Sequence, residues 1–231
     1  MACHSFTMRI GVLGATGPAG QGIAARLASL GYEVWAGSRD VDRSSSAVAA
    51  LTEKWGSRLA SLQPTDNETA AECDLVVVAT NWEAAVETAA LHASALADRT
   101  VVAMANGMEK VGREFHPVIP VEGSVSAAIQ AAAPLAKVVA AFQHIPASAF
   151  AAIDQDMEGD VVVCGDDDDA RTTVLELVAS MPNLRAFDAG SLINAIGIET
   201  FAAALLSINI RQKGKGTLKF LGVEGYAPRE L

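Results

Sequence analysis

Met8-Arg-Ile-Gly-Val-Leu-Gly-Ala-Thr-Gly-Pro-Ala-Gly-Gln-Gly22 is the stretch from which the rest of the chain is read. Ile10 to Leu13 is a short apolar run, the pattern of a buried strand. Gly14, Gly17 and Gly20 follow at three-residue spacing, and Ile23-Ala-Ala-Arg-Leu-Ala-Ser-Leu30 then carries a helical pattern. Strand, glycine turn and helix in that order form the setting in which a glycine pattern reads as a dinucleotide-binding turn. Glycine lets the main chain turn tightly and approach a pyrophosphate, and the first helical turn offers free N–H groups and a positive dipole end. Taken alone, the motif leaves a structural strand–turn–helix without a ligand equally open.

Downstream residues narrow the choice. Gly31 stops the helix, and Tyr32-Glu-Val-Trp-Ala36 reads as a second strand leaving through Gly37-Ser38-Arg39-Asp40. In an NAD-selective unit an acid about 20 residues beyond the glycine turn binds the ribose 2′-OH. Here Ser38 and Arg39 stand near that place, with Arg43 one helical turn on. A hydroxyl and guanidinium groups suit a 2′-phosphate, which an acid would repel. NADP is therefore expected over NAD, against the bland reading of a solvated Ser-Arg turn.

The alternation then continues. A helix is expected over 43–55, a polar stretch through Pro64 and Asn67, and a short helix over 67–73. Asp74-Leu-Val-Val-Val-Ala79 is near-continuously apolar, as in a parallel sheet covered on both faces. Its exit, Thr80-Asn81-Trp82-Glu83, opens a helix expected to end near Ala97, and Arg99 to Met104 is the next strand. From Gly107 to Pro120 the pattern lapses into a presumed loop, long enough for a lid or an oligomer contact. A helix over 124–132, strands over 137–142, 160–164 and 184–187, and a helix over 170–180 complete the body. The fold class is α/β: a doubly wound, mostly parallel Rossmann-type sheet with a small C-terminal helical element. Ligands lie beyond the carboxyl ends of such strands, so Thr80, Asn81, Ala105 and Asn106 share a rim with the glycine turn. The organisation expected is an N-terminal extension (1–7), an NADP-binding domain (8–188) and a C-terminal helical, dimer-forming segment (189–231). Ser191 to Ile210 is too polar for a membrane span and too apolar for a solvated helix, which points to burial in a subunit interface; together with the resemblance given below, this leads to the expectation of a homodimer. Arg211-Gln-Lys-Gly-Lys-Gly beyond it is a basic patch, either a solvated helix end or a contact for an anionic substrate group.

Composition excludes several classes. With 17 Lys+Arg against 27 Asp+Glu in 231 residues, the formal charge is −10, which argues against nucleic acid and anionic membranes as partners. Cys3, Cys73 and Cys164 make neither a disulfide framework nor a zinc spacing, so a reducing cytoplasm is expected. Met1 to Thr7 is short and polar, without the apolar segment of a secretion signal. Asp166 to Asp169 precede a helix and read as its cap; no metal site is expected.

No Gly-x-Ser-x-Gly elbow, His-Glu-x-x-His or Walker A run is present. Of four histidines only His144 falls near the rim, and packing accounts for it as well as catalysis does. Cys73 and Cys164 read as small buried hydrophobes. Hydride transfer needs little beyond placement, because the cofactors carry the reaction.

The residues also carry a family resemblance. Ile10-Gly-Val-Leu-Gly-Ala-Thr-Gly-Pro-Ala-Gly-Gln-Gly22, Gly37-Ser-Arg39, Trp82-Glu83, His144-Ile-Pro-Ala147, Val163-Cys-Gly-Asp-Asp-Asp168 and Asp188-Ala-Gly190 resemble the F420H2:NADP oxidoreductases, over nearly the whole chain after Met8. The resemblance implies hydride transfer between NADP(H) and the deazaflavin coenzyme F420, without a catalytic acid or base. It places Gly14, Thr16, Gly17, Pro18 and Ala19 at the pyrophosphate turn, and Thr16, Ser38, Arg39 and Arg43 at the 2′-phosphate. Thr80, Asn106 and Ala147 match positions near the nicotinamide and its ribose; Gln143 and Ile145 match the floor under the deazaflavin. The chain departs from the family pattern at Gln143, where members carry histidine, at Asn81, where they carry proline, and over Ala105–Pro120. Backbone N–H groups of the Gln143–Ala147 turn are expected to meet charge developing on the deazaflavin. Two other readings stay open from the sequence: an NADPH-dependent reductase of another imine or carbonyl acceptor, with His144 or Gln143 as proton donor or polariser, and an NADPH-binding sensor without turnover.

Overall fold

The computed structural model describes residues 8–227; the expected extension over 1–7 lies outside the described residues. The chain opens with β1 (Arg9–Leu13), buried from Ile10 onward, and α1 (Pro18–Ser29), which starts on a proline where a missing N–H costs no helical bond. β2 (Glu33–Ser38) and α2 (Val41–Trp55) follow, and the Asp40 carboxylate caps α2 by accepting from the Asp42 N–H. The polar stretch expected next contains a strand, β3 (Leu62–Asp66). Its composition hides it: Gln63, Pro64 and Asp66 are exposed, and a proline is tolerated because β3 pairs only with β2, at an edge. Asp66 then caps α3 (Asn67–Ala71), and β4 (Leu75–Val78) is buried throughout.

α4 (Trp82–Leu91) ends earlier than expected. The chain continues in tight turns, with Ala93 N–H donating to Ala90 O and Ala95 N–H to His92 O. After β5 (Thr100–Ala103), the presumed loop is an antiparallel hairpin, β6 (Met108–Val111) and β7 (Glu114–Pro117). Its mixed, exposed residues conceal the strand period, because the hairpin has no buried face of its own to mark it. Ser124 caps α5 (Val125–Ala132), which leads to β8 (Lys137–Ala140) and a short helix unforeseen in the sequence, α6 (Ala147–Ala151). β9 (Gly159–Gly165), α7 (Asp168–Ala179), β10 (Leu184–Asp188) and α8 (Ala195–Gln212) complete the chain.

The residues group into two compact units, 8–80 with 146–155, and 81–145 with 156–227. In the first, parallel strands run in the order β4-β1-β2-β3, and α6 packs on α1. Gly22 permits that approach, since a Cβ there would lie 2.8 Å from the Ala147 carbonyl oxygen. Buried Arg26 donates to the carbonyls of Ala149, Ala152 and Gln155 at 3.0, 2.7 and 3.2 Å, closing the end of α6.

In the second unit β5-β8-β9-β10 are parallel except for the β8–β9 pair. By length and composition alone the helical stretch Leu192–Gln212, which contains α8, is apolar enough to cross a membrane, with a mean hydropathy of 1.5. Here its Glu199 is buried and accepts from Val125 N–H, Ser126 N–H and Ser126 Oγ–H at 2.7, 3.0 and 2.7 Å, tying α8 to the start of α5. Ser207 Oγ accepts from the Phe115 N–H, and Arg211 pairs with Glu114, so α8 also packs on β7. The chain is a mostly parallel, Rossmann-type α/β protein with a C-terminal helix.

Candidate functional site

The glycine turn is fastened from three sides within the first unit. Gly14 N–H donates to Asn67 Oδ1 at 3.3 Å, Ala15 N–H to Gly37 O at 2.8 Å, and Gln21 Nε2 to Thr16 O at 2.9 Å. Gly14 has φ of +80°, and a Cβ there would lie 2.6 Å from Thr80 Cγ2. A Cβ on Gly20 would lie 2.4 Å from the Gly14 carbonyl oxygen. Gly14 and Gly20 therefore serve turn and packing, and Gly17, the α1 N-cap, keeps the mouth open. Among the described residues no side chain caps α1 and no acid stands in its first turn, which Pro18 and Ala19 open, so the N–H groups there are available to an anion. That donor set fits a pyrophosphate.

Thr16 and Arg43 come together on the wall of one cavity of about 380 Å³, with Gln21, Asp42, Ser46 and Ala47. Asp42 brings an acid into a wall that the sequence reading had as cationic. Ser38 ends β2 and Arg39 follows it, both outside that lining. Ser38 is buried, with its hydroxyl accepting from the Asp40 N–H at 3.3 Å, while Arg39 is exposed. Thr80 Oγ1 is buried and has no protein partner among the described residues, and Ala147 opens α6. Asn67, which holds the turn, was missed in the sequence; its signal is a buried polar residue at the start of a short helix, visible only once β3 is recognised.

In the second unit, Asn106 follows β5 and Gln143 follows β8, at the carboxyl ends of two paired parallel strands. Asn106 Nδ2 donates to the Gln143 carbonyl at 2.6 Å, and Gln143 Nε2 donates to Ala103 O at 2.9 Å. Asn106 Oδ1 and Gln143 Oε1 are buried and have no protein partner among the described residues. Asn81 is exposed at the start of α4, its Nδ2 donating to Glu83 Oε2 at 2.8 Å. Ile145 is half-buried, and its N–H already donates to Phe142 O at 3.0 Å, so that expected donor of the turn is spent inside the protein.

His144 is buried, and its Nε2 lies 2.6 Å from the Asp160 main-chain carbonyl. A carbonyl only accepts, so Nε2 carries the proton. Burial pushes the imidazole below its ordinary range, partly opposed by that carbonyl and the nearby Asp160 charge, which favours the neutral ring with its one proton held by the Asp160 carbonyl. Asp160 is held by Arg185, with N–O distances of 2.7 and 2.6 Å, and by the Phe220 N–H. Against the cost of burial, these partners keep its carboxyl below the usual range.

The acidic run acts as its sequence suggested. Asp167 accepts from Ala170 N–H at 2.8 Å as the α7 cap, Asp168 pairs with Arg171, and Asp166 accepts from Leu192 N–H. Burial, with Asp188 and Glu199 nearby, raises the Cys164 thiol to about 11, so it stays protonated and inert.

The parallel strands, the uncapped α1 and the glycine cradle define a Rossmann-type dinucleotide-binding protein. Residues 9–107 match the family described as NADP oxidoreductase coenzyme F420-dependent. The F420-dependent NADP reductase of Methanocaldococcus jannaschii is 30% identical over 91% of this chain and 96% of its own. That of Methanothermobacter thermautotrophicus is 32% identical over 90% of this chain and 92% of its own. A solved structure from Arthrobacter sp. FB24, itself only provisionally assigned to these reductases, is 26% identical, with a TM-score of 0.79, covering 93% of this chain and 99% of that one. The chain belongs to the F420-dependent NADP oxidoreductase family.

Proposed function

We propose that this protein transfers a hydride between NADP(H) and the deazaflavin coenzyme F420. The observation that carries the reading is likeness, over nine tenths of the chain, to relatives named for that activity. The anion cradle at Gly14–Ala19 would take the pyrophosphate, and Thr16, Ser38, Arg39 and Arg43 the 2′-phosphate. Thr80, Ala147 and Asn106 would border the nicotinamide and its ribose, and Asn81, Gln143 and Ile145 the deazaflavin. NADP(H) supplies or accepts the hydride at carbon, and the deazaflavin receives or yields it at carbon; the protein's task is to hold the two reacting carbons about 3–3.5 Å apart. No acid or base at the reacting atoms is required. The neutral, carbonyl-bound state of His144 supports this over a reductase that uses His144 as its proton donor.

We also infer a homodimer formed through the apolar face of residues 191–210, where Ile193, Ile196, Phe201 and Ile208 are exposed; light scattering tests it. A cytoplasmic, reducing location accords with Cys73 and Cys164 being buried. Mixing NADPH with oxidised F420 and catalytic protein should bleach the deazaflavin's visible absorption. Intact NADPH binding without bleaching would favour a sensor, and NADPH oxidation only with an imine or carbonyl compound would favour the other reductase.

A further inference from the structure

Two side-chain amides in the second unit have an orientation that can be assigned. Asn and Gln amides are ordinarily ambiguous, because oxygen and NH2 look alike. Here each NH2 faces a main-chain carbonyl: Asn106 Nδ2 meets Gln143 O, and Gln143 Nε2 meets Ala103 O. Carbonyls only accept, so neither amide can flip without setting oxygen against oxygen. The other ends are thereby fixed as acceptors, and among the described residues neither Oδ1 nor Oε1, both buried, has a protein partner. Gln143 itself is only 5% exposed, and a buried acceptor left unmet is costly. Both residues stand just past the carboxyl ends of β5 and β8, where sheets of this kind take ligands.

We propose that Asn106 and Gln143 form a locked pair of hydrogen-bond acceptors that selects its redox ring by an N–H of amide type. The inference rests on the hydride-transfer reading above and names what that reading leaves open, the polarity of recognition at the ring. Two rings offer such a donor, the carboxamide NH2 of nicotinamide and the ring imide N–H of a deazaflavin. Gln143 is then a specificity residue that touches its ligand without moving a proton. A neutral histidine at position 143 satisfies the same rule, donating to Ala103 O from one nitrogen and accepting at the other.

The test pairs protein variants with ligands that lack the donor. Dissociation constants are measured for NADPH and its 3-acetylpyridine analogue, and for F420 and an N3-methylated deazaflavin, on the native protein, Gln143→Leu and Gln143→His. The native protein should bind one donor-less analogue about tenfold more weakly than its parent, in keeping with one buried hydrogen bond. Gln143→Leu should erase that discrimination, and Gln143→His should keep most of it. Discrimination against the acetylpyridine analogue assigns the donor to nicotinamide, and against the methylated deazaflavin to F420. Equal binding of each analogue and its parent by the native protein overturns the proposal while hydride transfer stands. Failure of the native protein to bleach F420 with NADPH, whatever the binding constants, instead removes the reading beneath it. Should Gln143→Leu fold poorly, the native protein's own analogue ratios still decide.

Discussion

The glycine turn of the first unit and the strand ends of the second present opposite ways of recognising a ligand. Under the proposed function, the turn would work with main-chain N–H groups, a helix dipole and the exposed cations Arg39 and Arg43. The strand ends work with buried, neutral amides whose polarity is fixed by neighbouring carbonyls. Charge read by exposed groups is screened by salt and tolerates some misplacement, whereas buried neutral acceptors are insensitive to salt and strict about geometry. A nucleotide carrying phosphates suits the first, and a flat heteroaromatic ring suits the second.

The largest expected effect breaks the first region. Gly20→Val puts a side chain into the Gly14 carbonyl and must move the turn. NADP(H) affinity should fall by on the order of 100-fold, the equivalent of about 3 kcal/mol of strain and lost contacts. Circular dichroism should report an intact fold; affinity within about threefold of native would show that the turn is not the phosphate site. Next in size, Arg39→Ala should weaken NADPH by roughly 10- to 100-fold more than NADH, as expected for one charge-assisted contact. That gap should narrow in high salt, and equal losses for the two nucleotides would refute the 2′-phosphate role.

The smallest effect sharpens the second region. Because burial lowers the His144 pKa, the unfolded chain binds a proton there at a pH where the folded chain does not. The contribution is therefore present above the unfolded value of about 6.5 and is lost as pH falls through it, with a slope of up to ~1.4 kcal/mol per pH unit. Denaturant melts of native protein and His144→Asn, compared from pH 7.5 to 5, should show the steeper loss in the native protein. Parallel curves would mean that His144 takes up its proton in the folded state.

Much of this was legible beforehand. Ile10–Leu13, Leu75–Val78 and Val101–Ala103 announce buried parallel strands because both faces of each are covered, so every residue is apolar. Ser124 and Asp167 announce helix starts because a cap is a local interaction, whereas the Asp40 cap starts α2 two residues ahead of the expected helix. β3 was hidden because an edge strand can carry Pro64 and exposed polar residues, and the β6–β7 hairpin because its faces are mostly exposed. The site divides along the same line. The glycines could be read from spacing, but Asn67, which holds Gly14 from 53 residues away, could not.

By itself the sequence determined the strand–turn–helix start, the family and the preference for a phosphorylated nucleotide, since each rests on neighbours within about one turn or on recurring motifs. Only tertiary structure decided which amide oxygens of Asn106 and Gln143 remain free to accept, that His144 is held neutral against Asp160, and that Glu199 is buried at the start of α5. Those properties depend on which carbonyls and N–H groups the fold brings alongside from distant parts of the chain. Hydrogen-bond polarity and desolvation follow from that company, and residue type leaves them undetermined.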